Sequence, residues 1–330
     1  MRRAGLIPRT LACVLASGCG SSTPTVPSGS PTPIPVVAPP APATTTITGT
    51  ISATNGGQPL SGLSVISSTS TVTTNASGVF TFVFSGAGSP GAFPVSISGP
   101  SIVSRNTQFL LNTHSGVAVS VFSTAAGFDL AYYRKLARNG FEAPANLKVL
   151  RHWTRDPSVY IRTIDDVGRA LDPQALDIAE NTIAETIGPW TGGQLHVASF
   201  ARGTDSREGA AGWITIRWGE SSTVDYCGFV TDVGREGIAI EMDTRTPGCR
   251  CAGLAIDPAV VRHELGHALG LWHTDQRSDI MYPQRSGSCG MQLSVREREY
   301  AAYIYSRPVG NADPDNDPST TAFAQPMRQP

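Results

Sequence analysis

Lysine is almost missing from this 330-residue chain: Lys135 and Lys148 are the only two, and charged residues of all kinds reach 15%. With 25 basic side chains against 26 acidic ones, the net charge of −1 leaves no basic field to attract a nucleic acid, so none is expected as a partner. Long apolar runs are also lacking. The one apolar stretch near the start, within Met1 to Gly20, is shorter than the ~20 residues needed to span a bilayer. No C-x-x-C pair occurs among the six cysteines, which excludes the usual cysteine-built zinc sites.

What is present concentrates between Val261 and Pro283, VRHELGHALGLWHTDQRSDIMYP. His263 and His267 lie four apart, so on a helix of ~3.6 residues per turn they project from one face and can share a metal. Glu264 falls about 100° further round, beside that face, where it can hold a water without ligating. His273 would lie ~15 Å along the axis from His263 if the helix continued, and Zn–N bonds are only ~2.0 to 2.1 Å. The helix must therefore end between them, and Gly270 is the residue that accepts the left-handed turn.

The pattern H-E-x-x-H-x-x-G-x-x-H, with Met281 beyond it, resembles the metzincin clan of zinc endopeptidases. Thr274 after the last histidine and the run Ile280-Met281-Tyr282-Pro283 are more similar to the matrixins than to astacins or adamalysins. The resemblance implies one catalytic Zn²⁺ on His263, His267 and His273, Glu264 as general base, and a turn with Met281 and Pro283 forming a floor under the metal. It implies a protein or peptide substrate bound in extended form. The cysteine that caps the zinc of latent matrixins has no counterpart between the tether described below and the catalytic region. Two other functions stay open: a surface binding or adhesion protein on a metalloprotease scaffold, and a metallohydrolase of a cell-wall polymer. The intact Glu264 argues against the first, since a site that only binds has no use for it.

Ahead of this stretch the chain divides by composition. Residues 1–19 carry Arg2, Arg3 and Arg9 before a short apolar run, the layout of an export signal, and Ala16-Ser17-Gly18-Cys19 resembles a bacterial lipobox. Cys19 is then the lipidation candidate and the only link to a membrane, and the protein is expected outside the bacterial cytoplasm, at the cell surface, in the periplasm or secreted. Residues 20–46 are a Pro/Thr/Ser-rich tether. Residues 47–122 alternate short β-rich runs with Gly, Pro and Asn turns, and Phe80, Phe82 and Phe84 share one strand face. This all-β module resembles the carboxypeptidase-regulatory or transthyretin-like sandwich. Residues 123–156 connect, with a helix over Phe128 to Gly140 between an Asp129 cap and an Asn139-Gly140 stop.

Residues 157–308 are expected to form an α+β catalytic domain of metzincin type: a mixed sheet, the active-site helix and a C-terminal helix. Strands are predicted at Val159 to Ile164, Gln194 to Phe200, Gly212 to Trp218, Gly228 to Val233 and Gly237 to Asp243, with a helix from Pro173 ended by Gly188. By the resemblance, Gly228, Phe229, Val230 and Thr231 form the antiparallel edge strand along the cleft. Asp257-Pro258 opens the active-site helix, and Ser294-x-x-Glu297 is a capping box for the last one. Cys227, Cys249, Cys251 and Cys289 favour two disulfides in an oxidising setting, with Cys249 and Cys251 each reaching one of the other two. Asp275 and Asp279 are candidates to hold the far N–H of a metal-bound ring, a solvated turn being the simpler expectation. His114, His152 and His196, the last in a strand, read as structural. The tail 309–330 reads as disordered; its Asp313, Asp315 and Asp317 invite Ca²⁺ but lack the Gly and distal Glu of an EF-hand loop, so structural calcium has no support. A monomer is expected.

Overall fold

The computed structural model describes residues 44–319 except 69, 86–91, 111–115, 220–225 and 285–288. The signal peptide with Cys19, the tether to residue 43, His114 and the tail beyond 319 lie outside the described residues.

Seven strands precede the first helix: β1 (Thr44–Ala53), β2 (Ser64–Ser67), β3 (Thr71–Thr73), β4 (Val79–Ser85), β5 (Ala92–Ser98), β6 (Arg105–Leu110) and β7 (Val117–Val121). They form one sheet in the order β4-β1-β7 and another in the order β3-β2-β5-β6. Alternation along each strand turns one face inward, so Ile51, Phe80, Phe82 and Val121 of the first sheet share a core with Val65, Ile97 and Phe109 of the second. Phe80 stacks on Phe109 with ring centroids 5.7 Å apart, joining the two sheets. Thr44, Thr45 and Thr46 pair with Ser85, Phe84 and Val83, so these three threonines belong to the sheet and not to the tether.

The second region contains α1 (Leu130–Arg138), β8 (Ser158–Arg162), α2 (Pro173–Trp190), β9 (Ser199–Gly203), β10 (Trp213–Gly219), β11 (Gly228–Val230), β12 (Ala239–Asp243), α3 (Pro258–Ala268) and α4 (Val295–Tyr305). Its sheet runs β11-β12-β10-β8-β9, parallel throughout except for β11, which lies antiparallel at the edge. Val159, Ile161, Ile214, Ile216 and Ile240 are buried in one core with Ile183 and Ile187 of α2 and Leu265 of α3. The sheet thereby supports α3 beneath the edge strand.

Several elements depart from the sequence expectation for identifiable reasons. Helix α2 passes Gly188 and ends at Trp190, because the fully buried indole of Trp190 donates to the Arg262 carbonyl at 3.1 Å and holds the last turn. Pro189 is tolerated in the last turn, on the exposed side of the helix that also carries Glu185. His196 is not in a strand: its N–H goes to Asp156 Oδ1 at 2.9 Å and that of Leu195 to Thr191 Oγ1 at 3.1 Å, so pairing begins only at Ser199. Thr231 falls just past the end of β11.

The segment 309–319 is packed, not disordered. Arg307 and Asp315 form a fully buried pair, Nε to Oδ1 at 2.8 Å and Nη2 to Oδ2 at 2.8 Å. Arg105 of β6 reaches Asp317 at 2.7 Å, and Arg307 also donates to Ser120 Oγ at 3.1 Å and Thr54 Oγ1 at 3.2 Å in the β-rich region. Asp313 pairs with Arg134 at 2.8 Å. The three aspartates thus face guanidinium groups, which leaves them unsuited to Ca²⁺. The buried pair fixes the end of α4 against both regions. Asp315→Ala, which strands Arg307 in the interior, is expected to cost about 3–5 kcal/mol, whereas Asp313→Ala at a partly exposed pair costs about 1 kcal/mol or less. Denaturant unfolding of the two variants beside the wild type checks the difference.

Candidate metal centre

Helix α3 starts where Asp257 accepts the Ala259 N–H at 2.9 Å with Pro258 in the first turn. Val261, Leu265 and Ala268 bury one side, and the opposite side carries His263 and His267. The helix closes with the Leu271 N–H on the Gly266 carbonyl at 2.9 Å and Gly270 at φ +108°. A Cβ on Gly270 would stand 2.0 Å from the Arg151 carbonyl oxygen, so only glycine fits this reversal. The indole of Trp153 and the hydroxyl of Tyr305 take up the end carbonyls of Ala268 and Leu269, each at 2.9 Å. After the reversal, the Trp272 N–H bonds to the Leu136 carbonyl at 2.7 Å, and His273 returns to face the helix.

The Nε2 atoms of the three histidines converge. His273 Nε2 lies 3.1 Å from that of His267 and 3.2 Å from that of His263. His263 Nδ1 donates to the Ile280 carbonyl at 2.6 Å and His267 Nδ1 to the Leu271 carbonyl at 2.8 Å. A carbonyl only accepts, so each ring carries its proton on Nδ1 and turns an Nε2 lone pair inward. The third ring places Nδ1 on the carboxylate of Glu142. Three lone pairs at this spacing repel one another unless a cation lies between them. Tetrahedral ligands at ~2.0 to 2.1 Å from zinc stand about 3.3 Å apart, so the residues fit Zn²⁺. Burial drives the His263 pKa down to about 4 and that of His267 well below its ordinary value, keeping both neutral as metal ligation requires.

Glu264 stands beside the three rings, 4% exposed, and desolvation pushes its pKa up to about 8. Its carboxylate takes no hydrogen bond from the described residues. It occupies space left by Gly228: a Cβ there would come within 2.4 Å of Glu264 Cγ and 2.6 Å of Oε1. Below the rings, fully buried Met281 sets its sulfur where a Cβ on Gly266 would lie, 2.5 Å away. The Met281 N–H bonds to Glu297 Oε1 at 2.9 Å, and the Thr274 N–H to the Met281 carbonyl at 3.0 Å. Glu297 therefore caps α4 and pins this turn at once.

Neither aspartate candidate holds a histidine. Asp275 pairs with Lys135 at 2.6 Å, and buried Asp279 accepts from Tyr132, Thr274 and Ser294 at 2.7, 2.9 and 3.0 Å. His152 is bound away from the centre, both ring nitrogens 2.9 Å from carbonyls. Glu142 carried no signal in the sequence: it lies 131 positions from His273, in a segment without a motif.

A cleft of about 580 Å³ crosses the centre, lined among others by Gly228, Phe229, Tyr282, Pro283 and Met291. Two disulfides brace it. Cys227–Cys249, with Cα atoms 5.1 Å apart, holds the residue before β11, and Cys251–Cys289, at 5.6 Å, holds the chain beyond Pro283. The second bond uses both sulfurs that stand near Asp257, so that trio is not a metal site.

Residues 166–306 match the family model described as Matrixin, and this segment is a matrixin-like metzincin of the zinc metalloprotease class. The match begins beyond α1 and Glu142. No curated protein matches the chain. Among solved structures, a C-terminal interface mutant of a type II cohesin–X-dockerin complex from Acetivibrio cellulolyticus is similar at 16% identity and a TM-score of 0.17, over 23% of this chain. The chain spans about half, 51%, of that structure's chain, and so slight a likeness carries no argument.

The depressed histidines fix a pH dependence for the zinc-free protein. The unfolded chain protonates His263 near 6.5, the folded chain only near 4. Stability from this ring is full above pH 6.5 and falls as pH drops toward 4, because the unfolded state then binds the extra proton. Melting temperatures of chelated protein across that window should decline, and less so for His263→Gln.

Proposed function

We propose, from the premise that residues 166–306 are a matrixin-like zinc metalloprotease segment, that the whole chain is an exported, monomeric zinc endopeptidase cleaving proteins or peptides bound in extended form. The observation that carries this reading is the convergence of three Nε2 atoms, that of His273 lying 3.1 and 3.2 Å from the other two, beside a buried glutamate that takes no hydrogen bond from the described residues. Export and a lipid anchor at Cys19 rest on the sequence of residues 1–19 alone. The β-rich region is read as a sandwich, on the strength of two sheets that share one core, and its role as support for the catalytic region.

His263, His267 and His273 would hold the metal. A bound zinc supplies Lewis acidity, which lowers the pKa of water and polarises a carbonyl. Everything else falls to the chain. Among the described residues β11 is paired on one side only, with β12, and its other edge takes an extended substrate as an added strand. Glu264 accepts the proton of the water that attacks the scissile carbonyl and passes it to the departing amine. Burial raises the affinity of this carboxylate for a proton. Gly228 joins the two functions, since its missing side chain lets the substrate edge and the base sit in contact.

Purified full chain should hydrolyse a mixed protein and peptide panel, lose activity on chelation and regain it with zinc. Glu264→Gln should lower kcat by about 10²- to 10⁴-fold with zinc content unchanged. A wild type that holds zinc but cuts no protein or peptide would sink the reading, and release of cell-wall fragments instead would reassign the substrate. Gly228→Ala should displace the Glu264 carboxylate and reduce kcat/KM on the order of 100-fold while the fold, followed by circular dichroism, is kept.

A further inference from the structure

We infer that Glu142 is a positioning residue of the metal centre, holding His273 through Nδ1, and that α1 with the turn behind it is part of the catalytic unit although it precedes the matrixin-matching segment. This rests on the zinc reading above.

The three rings are not held alike. His263 and His267 use carbonyls of Ile280 and Leu271, which come with the local fold of the motif. Among the described residues His273 Nδ1 meets no carbonyl, and the acceptor it finds is the Glu142 carboxylate. Accepting the Nδ1 proton excludes the tautomer with a proton on Nε2, which could not ligate, and a full negative charge makes the ring a stronger donor. Among the described residues no other carboxylate takes this place: Asp275 is bound to Lys135 and Asp279 to three hydroxyls.

Glu142 is placed with precision by backbone bonds. Asn139 turns the chain at φ 56°, the Gly140 N–H bonds to the Arg134 carbonyl at 2.9 Å, and the Ala143 N–H to the Asn139 carbonyl at 2.9 Å. Further on, the Lys148 N–H returns to the Arg138 carbonyl at 2.9 Å. The chain carrying His273 is fixed to the same helix end by the Trp272 bond to Leu136. Donor and acceptor therefore hang from one support, and their alignment is set by this backbone. Tyr132 extends that support to the turn of Met281 through Asp279. The Glu142 side chain is 44% exposed and borders the cleft, so the rival role is recognition of a basic substrate side chain.

The test uses the full chain as wild type, Glu142→Ala, Glu142→Gln and Asp275→Asn. Zinc affinity is measured by competition with a chromogenic chelator, kcat and KM on a peptide the wild type cleaves, and the zinc-free His273 tautomer by imidazole ¹⁵N shifts. Glu142→Ala is expected to weaken zinc binding by about 10- to 100-fold and to mix the tautomers. Glu142→Gln, whose amide oxygen still accepts, should recover part of the loss. Asp275→Asn should match the wild type. Excess zinc should restore kcat in Glu142→Ala with KM unchanged. Zinc held by Glu142→Ala as tightly as by the wild type, or weakened no more than by Asp275→Asn, overturns the assignment. A raised KM for basic peptides with unchanged zinc affinity also overturns it and gives Glu142 to the substrate. Should Glu142→Ala fail to fold, Glu142→Gln decides: lower affinity than wild type is expected, equal affinity overturns. A wild type that takes up no zinc fails the metalloprotease reading, which these variants tell apart from failure of Glu142 alone.

Discussion

Three nitrogen lone pairs held face to face are the constraint on which the catalytic region depends. Left free, each imidazole would rotate or shift its proton to relieve the repulsion. Each is prevented from doing so by a partner on its far nitrogen: Ile280, Leu271 and Glu142. The surroundings follow from supplying those partners. Leu271 reaches His267 only because Gly270 reverses the chain, and Ile280 reaches His263 only because the next residue, Met281, is pinned by Glu297. Glu297 can reach it because the capping box fixes the first turn of α4. The packing around the three rings thus holds them in the arrangement that a shared cation would stabilise.

A second constraint governs how the two regions are joined. Arg307, fully buried just beyond α4, meets Asp315 on one side, Ser120 and Thr54 of the β-rich region on another, and the ring of Phe122 at 3.8 Å. Such a charge is tolerable only because each N–H finds an acceptor. The chain beyond Pro308 supplies two of the acceptors that matter, Asp315 for Arg307 and Asp317 for Arg105. The β-rich strands and the final segment therefore serve the same helix that braces the turn under the metal.

The parts of the site legible in the sequence were those encoded by local spacing. His263, His267, Gly270 and His273 lie within a few turns of chain, and the geometry of a helix followed by a reversal fixes where they go. The edge position of Gly228 to Val230 could be reached from element order, and the Ser294–Glu297 box from two residues. Glu142 and the aspartates of the final segment were not legible, for one physical reason. The partners of Glu142, Asp313 and Asp317 lie far off in sequence, and Asp315, though only eight residues from Arg307, sits in a Pro- and Asp-rich stretch that looks solvated until the burial of that arginine is known. The expected disorder of 309–319 failed on that point, as did the expectation of a stop at Gly188, where the buried Trp190 outweighed local helix signals.

Burial also separates the roles of carboxyl groups that composition treats alike. Glu264 is buried and takes no hydrogen bond from the described residues, so its charge is costly and its affinity for a proton raised, which suits a group proposed to take one up. Asp279, equally buried, is met by three hydroxyls and can only organise the turn. Asp315 is met by a guanidinium and acts as a brace. Glu142 lies between these cases: exposed enough to be hydrated, yet held against one imidazole by a turn of rigid backbone. Water keeps its charge inexpensive, while the hydrogen bond delivers that charge to the ring opposite α3. A buried carboxylate there would carry a desolvation cost similar to that of Glu264 and would tend to neutralise itself, losing the influence on the ring that its position provides. Partial exposure is thus a condition of its acting on the metal centre.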